Sequence, residues 1–326
     1  MAGRDAPGAR GPTGFLDRLE DRLSAGWRVL TSALRGPTLA SVRSFATPGG
    51  GFRGRQGPAD PYYTDFAIRL LDLAGVPPQE FGPTARYLAG LPPDTDLAHL
   101  FCRLYASRLL RRHGWEVPPP AGTARILARQ RAPGGGYAHP GRREPSACMT
   151  FLAVLIGEIT GEPIPDPERD AAAVLSLRRP GGGFGDGPGE GPAQANATAA
   201  AVATLTLRGA SDPRTIEDSA DFLARLQGPG GGIRPHPDAP GEDLLSTFTT
   251  LAALDSLNMM GRLRLAPLGR FVLGLRTPEG GFRSGPEDPG HDPEYTYYGV
   301  GSLCLLQAHL SGATPPADPP SPPQGS

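Results

Sequence analysis

The chain of 326 residues has a formal net charge of −1, and all 32 of its Lys and Arg residues are arginine. A near-neutral chain without a basic face argues against nucleic acid as a partner. The absence of lysine excludes lysine-based catalysis and Schiff-base chemistry. Three cysteines within apolar segments fit reduced thiols, and no apolar run reaches the roughly 18 residues of a membrane span. We therefore expect a cytoplasmic protein without a transmembrane segment.

The two ends of the chain differ from the rest in composition. Residues 1–13 and 313–326 are rich in Gly, Pro and Ser, which predicts disorder. Residues 14–36 predict an amphipathic helix, because six large apolar residues recur at helical spacing. These residues are Phe15, Leu19, Leu23, Trp27, Leu30 and Leu34. This helix is expected to pack against the rim of the main domain, and docking on a membrane or a partner is the alternative.

Residues 37–312 consist of repeats. A turn of two glycines and an apolar residue occurs five times, and the last four turns lie 47, 49 and 49 residues apart. The turns are Gly50-Gly51-Phe52, Gly135-Gly136-Tyr137, Gly182-Gly183-Phe184, Gly231-Gly232-Ile233 and Gly280-Gly281-Phe282. After each turn comes a polar stretch and then an apolar helix that ends at a glycine, which suits the left-handed conformation there. Six such glycines are present, Gly75, Gly114, Gly161, Gly209, Gly261 and Gly312, which predicts six units.

A second, amphipathic helix is expected after each terminal glycine, and it begins near a proline. Pro167 and Pro213 follow Asp166 and Asp212, and Asp-Pro is typical of a helix start. The first kind of helix is apolar on nearly all sides and is therefore predicted to be buried. We predict an all-α fold, an α/α toroid (α6–α6 barrel) of six helical hairpins, with the apolar helices inside around a central cavity.

Helical hairpins joined by Gly-Gly-Phe turns resemble the superfamily of protein prenyltransferase β-subunits and terpene cyclases. The likeness is greatest to the β-subunit of Rab geranylgeranyltransferase (type II) and covers about residues 40–312. The likeness is most specific in residues 243–254 and 280–299. The resemblance implies an isoprenoid in the central cavity and a helical-repeat protein as partner.

The resemblance also implies a zinc site, which this sequence does not complete. The transferases hold zinc with an Asp, a Cys two residues later and a His in the final repeat. Those positions are Asp243, Leu245 and Tyr295 here, and a lone carboxylate does not hold zinc. We expect no cofactor, with zinc present only if other residues such as His236 or His291 rebuild the site. Capping of the following helix is the favoured role of Asp243.

Two further family features are incomplete. Of the residues that bind the diphosphate, the histidine position falls near Pro192, the lysine is absent, and Arg234 lies several residues from the arginine position. Class II cyclases protonate an alkene with an Asp-x-Asp-Asp sequence. The nearest string here is Asp94-Thr95-Asp96-Leu97, which helix capping explains without catalysis.

Aromatic residues cluster near the starts of the predicted inner helices and suit a long apolar ligand. The candidate ligand-binding residues are Tyr63, Phe66, Phe248, Tyr297, Tyr298 and Arg234, and the candidate catalytic residues are Asp243 and Tyr295. The string Asp-Pro-x-Tyr-Thr occurs at residues 60–64 and again at residues 292–296. Three hypotheses follow: a divergent prenyltransferase or terpene cyclase-like enzyme, a non-catalytic lipid-binding protein, or a protein-interaction scaffold.

Overall fold

The computed structural model describes residues 14–312, so both segments predicted to be disordered lie outside the described residues. The described part contains thirteen α-helices, and its extended residues form isolated β-bridges only. The helices are α1 (Phe15–Val29), α2 (Ser32–Arg43), α3 (Pro61–Leu73), α4 (Gly82–Ala89), α5 (Leu97–Arg112), α6 (Thr123–Gln130), α7 (Ala147–Thr160), α8 (Pro167–Leu175), α9 (Ala195–Leu207), α10 (Pro213–Arg225), α11 (Leu244–Ser256), α12 (Leu265–Gly274) and α13 (Pro293–Leu310). The predicted all-α class is confirmed.

Six helices form a closed inner ring. Each of α3, α5, α7, α9 and α11 packs against the next odd-numbered helix, and α13 packs back against α3. These helices are buried on most sides. In α9, ten of the eleven residues from Ala195 to Leu205 are buried. The helices α2, α4, α6, α8, α10 and α12 lie outside them. The predicted α/α toroid with six hairpins is therefore confirmed.

The predicted unit begins with the inner helix, whereas each hairpin of the structure begins with the outer helix. Each hairpin runs from an outer helix through its glycine turn to an inner helix, so that α2 is the outer helix of the first hairpin. The closure of the ring shows this directly. Gly50 lies against Pro83 of α4, and Gly280 of the last turn lies in the same way against Pro37 of α2. The helix predicted over residues 14–36 is thus two helices, separated by extended backbone at Leu30, and the second helix belongs to the ring.

The five glycine turns share one hydrogen bond. The N–H of the residue after the glycines donates to the hydroxyl of a buried threonine in the first turn of the inner helix. The pairs are Phe52–Thr64, Tyr137–Thr150, Phe184–Thr198, Ile233–Thr247 and Phe282–Thr296, at 2.9–3.3 Å. The threonine that both Asp-Pro-x-Tyr-Thr strings share therefore has a structural role. At Gly231, φ is 103° and a Cβ would lie 2.4 Å from the carbonyl oxygen of Pro267, so only glycine fits.

Five of the six predicted terminal glycines do adopt the left-handed conformation after an inner helix. The prediction is wrong for Gly261, which lies in a short 3₁₀ turn over Met260–Arg262. Asn258 takes the left-handed conformation after α11 instead, with φ of 58°. Asparagine tolerates this region better than most residues because its short amide bonds locally.

Neighbouring hairpins are joined by a hydrogen bond from the first N–H of an inner helix to the next hairpin. The donors Leu97, Ala147, Ala195 and Leu244 reach Gln130, Asp186, Pro235 and Ser284 at 2.8–3.0 Å. The helix α13 begins with Pro293, which has no N–H to donate. At this seam Arg55 of the first hairpin bonds Asp292 at 2.9 Å and Asp288 at 2.6 Å. Arg55 thus links the first hairpin to the last at the seam, while α3, which begins with Pro61, likewise has no first N–H to donate.

Replacement of Arg55 by methionine is expected to lower the free energy of unfolding at pH 7 by about 1–2 kcal/mol, a value reduced for partial exposure of the guanidinium. The hydrogen bond from Arg55 holds the pKa of Asp288 well below its usual range. This carboxylate stabilises the fold above its unfolded pKa of about 4, and the stabilisation is lost as the pH falls. Denaturant unfolding should therefore show a smaller difference between the two proteins at pH 3 than at pH 7.

The exposed Arg86 of α4 provides the matched control for this substitution. Arg86→Met should unfold like the wild type at both pH values. An equal difference between wild type and Arg55→Met at pH 3 and pH 7 would contradict the assignment of the stabilising contact to Asp288.

The helix α1 lies across the ring at the C-terminal ends of the inner helices. The N–H groups of Phe15 and Leu16 donate to the carboxylate of Glu158, near the end of α7, at 2.9 and 2.8 Å. Gly26 approaches α13 so closely that a Cβ would lie 1.9 Å from the carbonyl oxygen of Cys304. The predicted packing of this segment on the toroid is what the structure shows. No helix between residues 14 and 312 has the length and hydropathy that a membrane span requires.

Candidate functional site

A cavity of about 420 Å³ lies inside the ring of inner helices. All six inner helices and α1 contribute side chains to its wall. The cavity reaches the N-terminal ends of five of these helices, where the second helical residue lines it in each case. Those residues are Tyr62, Ala98, Cys148, Asn196 and Leu245. The volume falls within the roughly 300–1,000 Å³ of typical small-ligand sites.

The helix α1 closes the opposite end of the cavity. Phe15, Leu16 and Leu19 line it from below, and the ring of Phe15 meets that of Phe151 edge to face at a centroid distance of 5.3 Å. Because α1 covers the C-terminal ends of the inner helices, we expect a ligand to enter the described part of the toroid from the N-terminal ends. The α1 helix is therefore the floor of the cavity.

The cavity wall is aromatic on one side and lined by small residues on the other. The rings of Phe248 and Tyr298 stack at a centroid distance of 5.2 Å, and Phe66 and Tyr297 pack beside them. Opposite them, α9 presents Ala199, Ala200 and Ala203. The small side chains of α9 leave open space next to the aromatic rings. The cavity therefore suits an elongated apolar ligand.

One ion pair adjoins the cavity. Arg69, which lines it, binds the carboxylate of the fully buried Asp65 one helical turn earlier on α3. Burial raises the pKa of Asp65 to about 6, against the opposing effect of Arg69. Four aromatic rings surround the guanidinium carbon at 4.2–5.4 Å, contributed by Tyr105, Phe66, Tyr297 and Phe101. This contact is worth more in a desolvated site than at a surface.

The remaining polar groups of the wall bond one another. The hydroxyl of Tyr62 donates to Glu294 at 2.6 Å, and that of Thr249 donates to the amide oxygen of Asn196 at 2.6 Å. Burial raises the pKa of the Cys102 and Cys148 thiols well above the ordinary value. Both cysteines are therefore thiols rather than thiolate nucleophiles at neutral pH.

The structure brings four of the six predicted ligand-binding residues to the cavity wall. These are Phe66, Phe248, Tyr297 and Tyr298. Tyr63 is not among them, because its ring packs over Gly54 while its neighbour Tyr62 faces the cavity. The two side chains point about 100° apart on α3, and the start of this helix directs Tyr62 towards the cavity and Tyr63 towards the glycine-rich turn. Arg234 lies in the turn before α11, where its guanidinium donates to the carbonyl oxygen of Pro237 at 2.9 Å.

The sequence comparison assigns the family. The profile described as "Prenyltransferase alpha-alpha toroid domain" matches residues 155–318, about half of the chain. The chain belongs to the prenyltransferase alpha-alpha toroid domain family. No curated protein sequence matches it.

Several solved structures share this toroid. Candida albicans protein geranylgeranyltransferase-I, in complex with GGPP, aligns with a TM-score of 0.60 at 14% identity, over 90% of this chain and 92% of its own. A type II terpene cyclase from Scytonema, with geranylgeranyl dihydroxybenzoate as substrate, gives 0.61 at 14% identity over 90% and 99%. An alpha-1,6-mannanase from Salegentibacter gives 0.58 at 11% identity over 85% and 99%. Identities this low show the fold alone, and the fold serves several chemistries.

The zinc ligand positions of the prenyltransferase family lie together at the N-terminal ends of α11 and α13. Leu245 lines the cavity, and Tyr295 lies close enough that the charge of Asp243 contributes to raising its pKa. Burial is the main cause and raises the pKa of Tyr295 to about 12. Asp243 caps α11, with Ser246 donating its N–H at 2.7 Å and its hydroxyl at 3.0 Å. Both carboxylate oxygens thus have partners.

Other residues do not rebuild this zinc site in the described part of the toroid. No group of three His, Cys, Asp or Glu side chains between residues 14 and 312 is placed to hold a metal ion. His291 packs edge to face on Phe45, at a centroid distance of 5.4 Å. The side chains present therefore do not fit zinc, and we derive no chemical step through a metal.

The acidic string that resembles a cyclase motif has a capping role in this toroid. Asp96 accepts a hydrogen bond from the N–H of His99 at 3.0 Å and begins α5. Asp94 faces Arg103 at 3.4 Å. Neither carboxylate lines the cavity. The structure therefore supports the capping interpretation for Asp96, whereas Asp94 forms an ion pair with Arg103 instead.

Sequence reasoning missed two contributors to the site. The first is Arg69, although a charged residue four positions after Asp65 in an apolar helix is a usable signal. The second is α1, whose Phe15, Leu16 and Leu19 form the floor of the cavity. The sequence predicts the apolar stripe of α1. The spacing of apolar residues along one helix does not indicate where on the ring that helix packs.

Proposed function

We propose that this toroid binds an isoprenoid chain in its central cavity. The observation that carries the proposal is the cavity itself, about 420 Å³ in volume, enclosed by six helices and closed below by α1. Its wall is predominantly apolar, with an aromatic face of Phe66, Phe248 and Tyr298. Apolar burial contributes roughly 25 cal/mol per Å², so a long hydrocarbon chain gains most of its affinity from such a wall.

The ligands of the similar structures support this class of molecule. The geranylgeranyltransferase is complexed with GGPP, and the terpene cyclase has a geranylgeranyl compound as its substrate. Both ligands carry a geranylgeranyl chain, although their polar groups differ. We therefore propose a prenyl chain of this type for the cavity here.

Binding without zinc-dependent prenyl transfer is the form of the proposal that the residues favour. Leu245 and Tyr295 supply neither thiolate nor imidazole, and the carboxylate of Asp243 is engaged by Ser246. A cyclase-like activity is disfavoured because Arg69 already occupies the aromatic cage. The rings that could stabilise a carbocation already contact this guanidinium. Prenyl transfer by other residues and a helical-repeat partner stay predictions of the resemblance, and a cytoplasmic location stays a prediction of the composition.

The test is binding of geranylgeraniol and geranylgeranyl diphosphate, followed by native mass spectrometry and by displacement of a fluorescent prenyl probe. We expect one lipid per chain in the wild type. Ala203→Phe fills the cavity and should weaken binding at least about tenfold, while circular dichroism remains that of the wild type. Thr206→Phe, at an exposed position of the same helix, is the matched control and should bind normally.

Two results would overturn the proposal. One is the absence of any complex between the wild type and either prenyl compound. The other is equal loss of binding in Ala203→Phe and Thr206→Phe, which would place the lipid on the outer surface of α9.

A further inference from the structure

Among the described residues, Arg69 is the only charged residue that lines the cavity. Asp65 and four aromatic rings hold its guanidinium in place. Its side chain is 12% exposed, and the exposed part faces the cavity. The ring of Tyr105 lies 4.2 Å from the guanidinium carbon, and the Tyr105 hydroxyl donates to Glu20 of the floor helix α1 at 2.8 Å. The guanidinium therefore lies towards the floor of the cavity.

The hydrogen-bonding capacity of Arg69 exceeds the acceptors around it. A guanidinium has five N–H donors in a fixed fork. One of the Nη atoms binds Asp65 and the Tyr297 hydroxyl is a second partner, whereas the buried Nε has no acceptor. The Cys102 thiol is a further hydrogen-bond partner of Asp65. Asp65 and Tyr297 leave part of this donor set unused, and Arg69 lines the cavity, so a ligand atom there is a further acceptor within its reach.

The charge of the pair limits what that acceptor can be. Asp65 is fully buried and neutralises Arg69, so the pair has no net charge to offer an anion. A diphosphate at this depth would lose its hydration without an unpaired cation in return, which is strongly unfavourable. A hydroxyl or carbonyl oxygen accepts a hydrogen bond at a much smaller desolvation cost.

We propose that Arg69 forms a polar subsite near the floor and donates a hydrogen bond to an uncharged oxygen of the bound isoprenoid, a hydroxyl or a carbonyl. This inference rests on the proposed function, and it adds the class of end group and the orientation. The oxygenated end points towards α1, and the hydrocarbon chain extends along the aromatic wall towards the N-terminal ends of the inner helices.

The experiment compares three C20 probes on the full-length wild type: geranylgeraniol, geranylgeranyl diphosphate and the hydrocarbon β-springene. Dissociation constants come from displacement of a fluorescent prenyl probe. We expect geranylgeraniol to bind at least about tenfold more tightly than the hydrocarbon, since one hydrogen bond to a charged donor has this value. The diphosphate should bind more weakly than the alcohol.

A paired variant assigns the preference to the subsite. Asp65→Leu with Arg69→Met removes both charges together, which leaves no buried charge unpaired. In this variant geranylgeraniol and the hydrocarbon should bind within about twofold of each other, with the hydrocarbon affinity unchanged. Thr249→Val removes a wall hydroxyl that lies nearer the N-terminal ends of the inner helices, and should keep the preference of the wild type. Arg69→Lys retains the charge but not the fork, and should reduce the preference.

The outcomes separate this inference from the proposed function. Equal affinity of the wild type for the alcohol and the hydrocarbon overturns the subsite and leaves isoprenoid binding intact. Tighter binding of the diphosphate than of the alcohol also overturns the subsite. So does a loss of the preference for the alcohol over the hydrocarbon in Thr249→Val. Binding of none of the three probes overturns the proposed function together with the subsite.

Discussion

Replacement of Arg22 by methionine is expected to lower the free energy of unfolding by about 3–5 kcal/mol. Arg22 lies on the floor helix α1 and makes a two-point ion pair with Asp255 near the end of α11, at 2.7 and 2.9 Å. Both side chains are only 7% exposed. Removal of the guanidinium leaves a buried carboxylate without its partner, which is far more costly than the net value of the pair. Denaturant unfolding followed by circular dichroism measures the change.

Two further variants isolate the cause of this loss. Arg28→Met changes an exposed arginine on the same helix and should have little effect. The pair of substitutions Arg22→Met and Asp255→Leu should recover most of the stability, because no charge is then left buried alone. If the paired variant is as unstable as Arg22→Met, packing of the arginine stem rather than its charge holds α1 in place.

The second large effect is a gain of metal binding. Substitution of Leu245→Cys together with Tyr295→His should create a zinc site with a Kd below about 1 μM, where the wild type should bind zinc only weakly. Asp243, Leu245 and Tyr295 lie together where α11 and α13 begin. Thiolate, imidazole and carboxylate at these positions are the donor types that Zn²⁺ prefers. Native mass spectrometry and competition with a chromogenic chelator measure the affinity.

The thiolate is the decisive ligand, so Leu245→Ser with Tyr295→His is the matched control and should bind zinc far more weakly. Equal zinc binding by the Cys and Ser versions would show that the three positions do not correspond to the family ligand set. Tight stoichiometric zinc in the wild type would show that other residues hold the metal.

The fold could be predicted because the turns impose local chemistry that is visible in the sequence. A left-handed glycine pressed against the next outer helix, as at Gly231, can only be glycine, and helix-capping Asp residues such as Asp96 and Asp243 mark where helices begin. The assignment of α2 could not be made in this way. A periodic chain has the same local pattern whether a unit begins with its inner or its outer helix. Only the contact of Gly280 with Pro37 decides between them.

The site could be predicted where it depends on the face of a helix. Phe66, Phe248 and Tyr298 lie on the inward faces of buried helices, so aromatic residues there had to meet at the centre. The buried Arg69–Asp65 ion pair was not predicted, because an i, i+4 pair of opposite charges in a sequence usually indicates a solvated helix face. Its burial depends on rings from α5 and α13, which lie far away in the chain.

The closed seam has a consequence for how the molecule can lose structure. In an open array of repeats, each unit contacts only its neighbours, and a terminal unit can fray while the remainder stays folded. Here α2 packs outside α13, α13 packs against α3, and α1 rests on α13 through Gly26. The hairpin that begins the ring and the hairpin that ends it are neighbours. The ring consequently has no terminal unit, and local opening at any one hairpin removes support from two others.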